Sequence, residues 1–247
     1  MTQMLASVAN EAEAVQALAA GADIIDLKNP LAGALGALPL PVIENIIRTI
    51  DGARATSATI GDLPMQPSMV VEAVHQTADC GVDFVKIGFF EEGDTAACLQ
   101  ALASLAKDGL KLVAVLFADR NPDFGLLPQL QAAGFYGVML DTCIKDGRNL
   151  LDHMSLADLQ AFTLQARSHH LYSGLAGSLR ISHVAELAAL QSDYLGFRGA
   201  LCLGGERKST VSRDKVHALC EMLQKYNIPE HSEPKAQGGQ GYALHRN

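Results

Sequence analysis

Short runs of apolar and β-branched residues alternate along this chain with longer stretches in which apolar positions recur three and four apart. These are the periodicities of a strand and of an amphipathic helix. Strand-like runs begin at Met4 (MLASVAN), Ala22 (ADIIDLK), Ala55 (ATSATIG), Asp83 (DFVKIGF), Lys111 (KLVAVLFA), Phe135 (FYGVMLD), Leu171 (LYSGLAGSL) and Asp193 (DYLGFRGAL). Helical patterns lie between them, among them EAEAVQALAAG, PVIENIIRTI, SMVVEAVHQTADCG, TAACLQALASLAKDG, LADLQAFTLQARS and HVAELAALQS. Glycines at 21, 81, 109 and 134 stand where a left-handed residue closes a helix before the next strand.

Eight strand-then-helix repeats predict a parallel sheet closed into a single (β/α)8 TIM barrel. The 247 residues are close to the ~250 of one such barrel. Residues 1–228 are expected to form that catalytic domain. Residues 229–247, polar and glycine-rich, read as a tail too poor in apolar surface to order itself. An open doubly wound sheet is the structural rival. It is disfavoured because nothing marks a reversal of strand order and the only glycine-rich turn comes late.

Composition narrows the classes of function. A content of 49% hydrophobic and 19% charged residues suits a chain with a packed core, and a net charge of -8 argues against nucleic acid or an anionic membrane as partner. A local basic pocket stays compatible with that total. Cys80, Cys98, Cys143, Cys202 and Cys220 are odd in number and scattered, without a CxxC pair or a His at zinc-ligand spacing. They read as core residues of a reducing cytoplasm, with no metal site and no cofactor expected. The start, MTQMLASVAN, lacks a signal-peptide pattern, and no apolar run reaches the ~20 residues of a membrane span, so a cytoplasmic protein is expected.

In this fold active sites sit where the strands end, so polar residues there carry the functional reading. Strand alternation sends Asp26 and Lys28 to one side of the second strand, toward the interior. Lys86 lies within the apolar run Phe84-Val85-Lys86-Ile87-Gly88, and the sixth strand runs into Asp141 with Lys145 four residues on. A lysine amine among apolar walls or beside other cations loses proton affinity and can attack a carbonyl to form an imine. The plainer alternative makes Asp26 and Lys28 a structural ion pair, lets Lys86 snorkel to the rim, and leaves Lys145 a solvated loop residue.

A second group comes late. Gly177 and Ser178 follow the seventh strand, and Gly199 and Ala200 follow the eighth. Barrels often bind phosphate there, through backbone N–H groups that glycine leaves accessible and a helix N-terminus. His169 and His170 are expected to begin the seventh strand on the opposite face, and His75, His183 and His217 fall in helical stretches. Glu206-Arg207-Lys208 reads as a solvated loop, whose cations could also approach a substrate phosphate.

DLKNP with Lys28, FVKIG with Lys86, LDTCIKDG with Asp141 and Lys145, and the late GLAGSLR and FRGALC segments together resemble the (5-formylfuran-3-yl)methyl phosphate synthase family of methanofuran biosynthesis. That family is also known as 4-(hydroxymethyl)-2-furancarboxaldehyde phosphate synthase. The likeness runs from the first strand through the eighth helix. It implies a lyase that condenses two molecules of glyceraldehyde 3-phosphate with loss of phosphate and water, without metal or organic cofactor. It also implies that Lys28 forms the Schiff base and Lys86 accepts the proton, with Asp26, Asp141 and Lys145 assisting charge and proton transfer. The implied setting is the one-carbon metabolism of an archaeal methanogen or a methylotrophic bacterium. The expected partner is a small phosphorylated aldehyde, and exposed helices would suit a homo-oligomer. Two rivals remain: another Schiff-base aldolase acting on a sugar phosphate, and a non-catalytic barrel that binds a phosphometabolite.

Overall fold

The structure is a computed structural model and describes residues 1–227; the expected tail at 229–247 lies outside the described residues. Eight strands form, β1 (Gln3–Val8), β2 (Ile24–Leu27), β3 (Ala55–Thr59), β4 (Phe84–Gly88), β5 (Leu112–Phe117), β6 (Gly137–Asp141), β7 (Tyr172–Leu175) and β8 (Tyr194–Phe197). Each pairs in parallel with the next, and β8 returns to β1, closing the barrel. The helices that follow are α1 (Glu11–Ala19), α2 (Leu40–Ile50), α3 (Pro67–Asp79), α4 (Thr95–Lys107), α5 (Leu126–Ala132), α6 (Leu156–Ser168), α7 (Val184–Ala188) and α8 (Arg213–Tyr226). The (β/α)8 TIM barrel read from the periodicity is the observed fold.

Local chemistry sets the element ends. Asn10 caps α1 by accepting from the Glu13 N–H, Asp94 caps α4 through the Ala97 N–H, and Ser155 and Asp158 form a reciprocal box at the start of α6. Gly21, Gly81, Gly109 and Gly134 all adopt positive φ, as the breaks between helix and strand required. Two details differ from expectation. His169 ends α6, with its Nδ1 2.9 Å from Gln131 Oε1, and His170 turns the chain at φ 55°, so β7 begins only at Tyr172. The segment after β7 starts as a single 3-10 turn, Ile181–His183, and α7 spans only five residues. The Nδ1 of His183 accepts from the Arg180 N–H and secures that turn.

Alternation along each strand divides the apolar residues into two cores. Ala6, Val8, Ile25, Leu27, Val85, Ile87, Ala114, Leu116, Val138 and Leu140 face outward and pack under the helices. Leu5, Ile24, Val113, Val115, Met139 and Tyr194 fill the interior. At the N-terminal end of the strands, aromatic rings close that interior. Phe84, Tyr136, Tyr172 and Tyr194 pack in sequence with centroids 5.0, 5.4 and 5.5 Å apart, the first two pairs tilted and the last stacked, and Lys111 caps the first two rings at 5.2 and 5.7 Å. Gly174 on β7 makes this packing possible, because a Cβ there would stand 2.2 Å from the Tyr194 ring.

A buried ion pair fixes the other end. Arg198, just past β8, meets Glu13 of α1, and the same guanidinium donates to the carbonyls of Ser7, Arg207 and Ser209. Glu13 also accepts from the Ala9 and Val211 N–H groups. One pair thereby holds the end of β1, the start of α1 and the long loop between β8 and α8 in register. No described helix is long and apolar enough to cross a membrane.

Candidate active site

A cavity of about 470 Å³ opens at the C-terminal ends of the strands, where the sequence placed the chemistry. Asp26, Lys28, Lys86, Asp141 and Lys145 all line it, as do Gly177, Ser178, Gly199 and Ala200. All nine residues singled out from the sequence therefore share one site. Lys28 and Lys86 are 9% and 3% exposed, and Asp26 and Asp141 are 1% and 5% exposed, so the floor is nearly dry.

The charges pair across the barrel rather than along one strand. Lys86 Nζ lies 2.6 Å from Asp26 Oδ1, which also accepts from Ser57 Oγ at 2.7 Å. Lys28 reaches past its strand neighbour Asp26 to Asp141 Oδ2 at 3.1 Å, and Lys145 bonds Asp141 Oδ1 at 2.9 Å. The simple Asp26–Lys28 ion pair does not form, and neither Lys86 nor Lys145 behaves as the plainer reading had it. Lys86 is buried instead of snorkelling, and Lys145 is folded back onto Asp141 and the carbonyl and hydroxyl of Thr142.

These contacts set the proton affinities. Burial lowers the pKa of Lys86, and the nearby charge of Lys28 adds to that, while Asp26 opposes it. Burial likewise lowers the pKa of Lys145 against the pull of Asp141. For Asp141, burial favours the neutral acid, yet the two ammonium groups and the bonds from Lys145 and the Thr142 N–H outweigh it. Its pKa falls well below the ordinary carboxylate range. The site thus pairs one firmly ionised carboxylate with amines that surrender protons more readily than free lysine does.

The rim is built from backbone. Gly177 has φ 112° and Ser178 φ 50°, and neither N–H donates a hydrogen bond among the described residues. Gly177 also passes so close to β6 that a Cβ would meet Thr142 Cγ2 at 2.9 Å. Two successive left-handed residues with free N–H groups make a concavity suited to an anion. Gly199 and Ala200 begin a single 3-10 turn on the same rim, in place of a longer helix.

A family model described as 4-HFC-P synthase matches residues 4–220 of the chain. The chain belongs to this family. Among the relatives of this 4-HFC-P synthase family member, a Methylorubrum extorquens protein provisionally named (5-formylfuran-3-yl)methyl phosphate synthase is 39% identical over 222 residues, covering 90% of this chain and 92% of that one. The (5-formylfuran-3-yl)methyl phosphate synthases of Methanothermobacter thermautotrophicus and Methanopyrus kandleri are 34% and 36% identical. They are covered over 99% and 98% of their lengths by 90% of this chain. Among solved structures, the phosphoribosyl anthranilate isomerase of Thermus thermophilus superposes with a TM-score of 0.64 at 15% identity, covering 91% of this chain and 99% of that one. The 3-hexulose-6-phosphate synthase of Salmonella typhimurium gives 0.64 at 17%, covering 91% and 100%. At such identities these two bear on the fold alone.

Two residues of this synthase-family site escaped the sequence reading, and a third, Arg207, entered it only as one of the loop cations that could approach a substrate phosphate. Ser57 supports Asp26 from β3, a position that ATSATIG marks only as an inward polar residue in register with Asp26. Ser7 lines the cavity beside Asp26, and its buried hydroxyl has no partner among the described residues. Arg207 lies in the segment read as a solvated loop, yet it is half-buried and lines the cavity, while Glu206 and Lys208 on either side are exposed. Its inward turn comes from Arg198, whose Nε donates to the Arg207 carbonyl at 2.8 Å, and no sequence pattern announces that contact.

Proposed function

We propose that this chain is a (5-formylfuran-3-yl)methyl phosphate synthase. It condenses two molecules of glyceraldehyde 3-phosphate into the phosphorylated furan aldehyde, with loss of phosphate and water, as a lyase of methanofuran biosynthesis. The observation that carries the reading is Lys28, facing the cavity with one 3.1 Å contact to Asp141, close enough to Lys86 for the two charges to interact. Membership of the family supports the same reading.

Lys28 attacks the aldehyde carbon of the first molecule, and loss of water leaves an imine. Asp141 stays ionised beside it and stabilises the cationic form. The imine acidifies the neighbouring carbon, and Lys86, in the neutral form that burial favours, accepts its proton. Burial suits Lys86 to that step, and Asp26 at 2.6 Å stabilises the ammonium that results. The enamine expels phosphate from the carbon β to the imine, and the second molecule, having lost the proton from its own carbon beside the aldehyde, adds that carbon to the unsaturated position so created, forming the new carbon–carbon bond. Ring closure and dehydration to an aromatic furan draw the sequence forward. The free N–H groups of Gly177 and Ser178, with Gly199 and Ala200, grip the phosphate of the first molecule.

The test is to incubate the purified protein with glyceraldehyde 3-phosphate, follow furan absorbance and phosphate release, and map the adduct trapped by borohydride. Furan with an adduct on Lys28 is the expected result. An adduct without furan would mark a different aldolase, and neither signal would overturn the reading in favour of a binding protein. Lys28→Ala is expected to lose the adduct and at least about a thousandfold in rate.

A further inference from the structure

Six cationic side chains line the cavity against three carboxylates, in a protein whose total charge is -8. The excess is uneven. Lys86 is matched by Asp26, Arg198 by Glu13, and Lys28 and Lys145 share Asp141. Arg180 and Arg207 have no carboxylate within ion-pair distance among the described residues; Arg180 is exposed, whereas Arg207 is half-buried, and its one side-chain bond runs from Nη2 to the Gly33 carbonyl at 3.1 Å. A guanidinium has five N–H donors, so most of this one's capacity is unspent.

Its placement is specific. The backbone of Arg207 is held by Arg198 next to Gly199, on the β8 side, and the side chain crosses to Gly33 in the loop after β2. On the way it comes within electrostatic range of Asp141, Asp62 and Lys145. It therefore lies over the β2 side of the mouth, across from the Gly177–Ser178 concavity on the β7 side. Asp141 and Asp62 act on it only from beyond ion-pair distance, so a half-buried guanidinium with most of its donors unspent is completed by an anion that reaches it directly.

We infer that Arg207 forms a second phosphate subsite, which holds the phosphomonoester of the second aldehyde molecule while the rim glycines hold that of the first. The inference rests on the two-substrate reading above, which needs two places for phosphate and leaves one of them without a ligand. Arg207 binds and orients the incoming molecule and takes no part in forming the imine on the first. The two halves of the reaction then depend on different residues.

That separation is the test. Wild-type protein and Arg207→Ala are titrated with glyceraldehyde 3-phosphate, and two readouts are taken: borohydride-trapped Lys28 adduct and furan formation. The variant is expected to form adduct with unchanged half-saturation, while the half-saturation for furan rises about ten- to a hundredfold. Arg207→Lys should recover part of that loss, since it restores the charge but not the fork. Thermal unfolding of both variants should match wild type, because the side chain makes one bond to the protein. Equal losses in adduct and furan would overturn the inference in favour of one shared phosphate site, and no loss in either would remove Arg207 from binding altogether. If wild-type protein itself gives no furan, the two-substrate reading fails first, an outcome separate from any behaviour of the variants.

Discussion

Lys86 and Asp26 each make the other tolerable in a nearly dry barrel. Replacing Lys86 with Met strands the Asp26 carboxylate, and a loss of about 3–5 kcal/mol is expected in urea unfolding. Adding Asp26→Asn should return most of that stability while furan formation stays absent, which separates the structural from the chemical use of the pair. Asp141 governs the acid side. Its folded pKa is depressed, so the stability it contributes is fully present above the unfolded value near 3.9 and is lost as pH falls through the folded pKa. Asp141→Asn should accordingly flatten the decline of the urea midpoint below about pH 4. Lys86 acts at the alkaline end, where the unfolded chain near a lysine pKa of about 10.4 binds more protons than the folded one and stability rises with pH.

At the scale of elements, strand identity and the side on which Asp26, Lys28 and Lys86 fall were legible because a strand has a period of two. Which charge meets which was not. Lys28 bonds Asp141 on β6, four strands away, and only closure of the barrel brings those ends together. Loops hid more still: the inward turn of Arg207 depends on the Glu13–Arg198 pair, whose members are 185 positions apart. Glu13→Gln should leave Arg198 buried and unmatched, at a cost of about 3–5 kcal/mol, and should loosen β1 and the loop before α8 together, which hydrogen exchange would report. On the β7 side, Gly177→Ala puts a methyl group against Thr142 at a φ that alanine disfavours. A rise in half-saturation for substrate, with the melting temperature lowered, is the expected signature.

For the whole molecule, the repeat count was enough to give the closed barrel, because eight parallel strands with helices between them have few other ways to cover both faces. The charge distribution was less accessible. A total of -8 conceals a cationic cavity, since only three of the 27 acidic residues line it. An anionic substrate drawn to that cavity should bind less well as salt increases, so kcat/KM is expected to fall from low to physiological ionic strength while kcat holds steady.

The ladder of Phe84, Tyr136, Tyr172 and Tyr194 gives the interior a floor, and with it a direction. A barrel corked at one end is a shaft with one doorway. Whatever arrives first must travel deepest, and whatever comes next stands between it and the exit. Under the proposed condensation, the molecule bonded to Lys28 waits at the bottom while its partner enters above, so the geometry itself imposes a queue. The released phosphate has to leave by the way the aldehydes came in, and the furan follows.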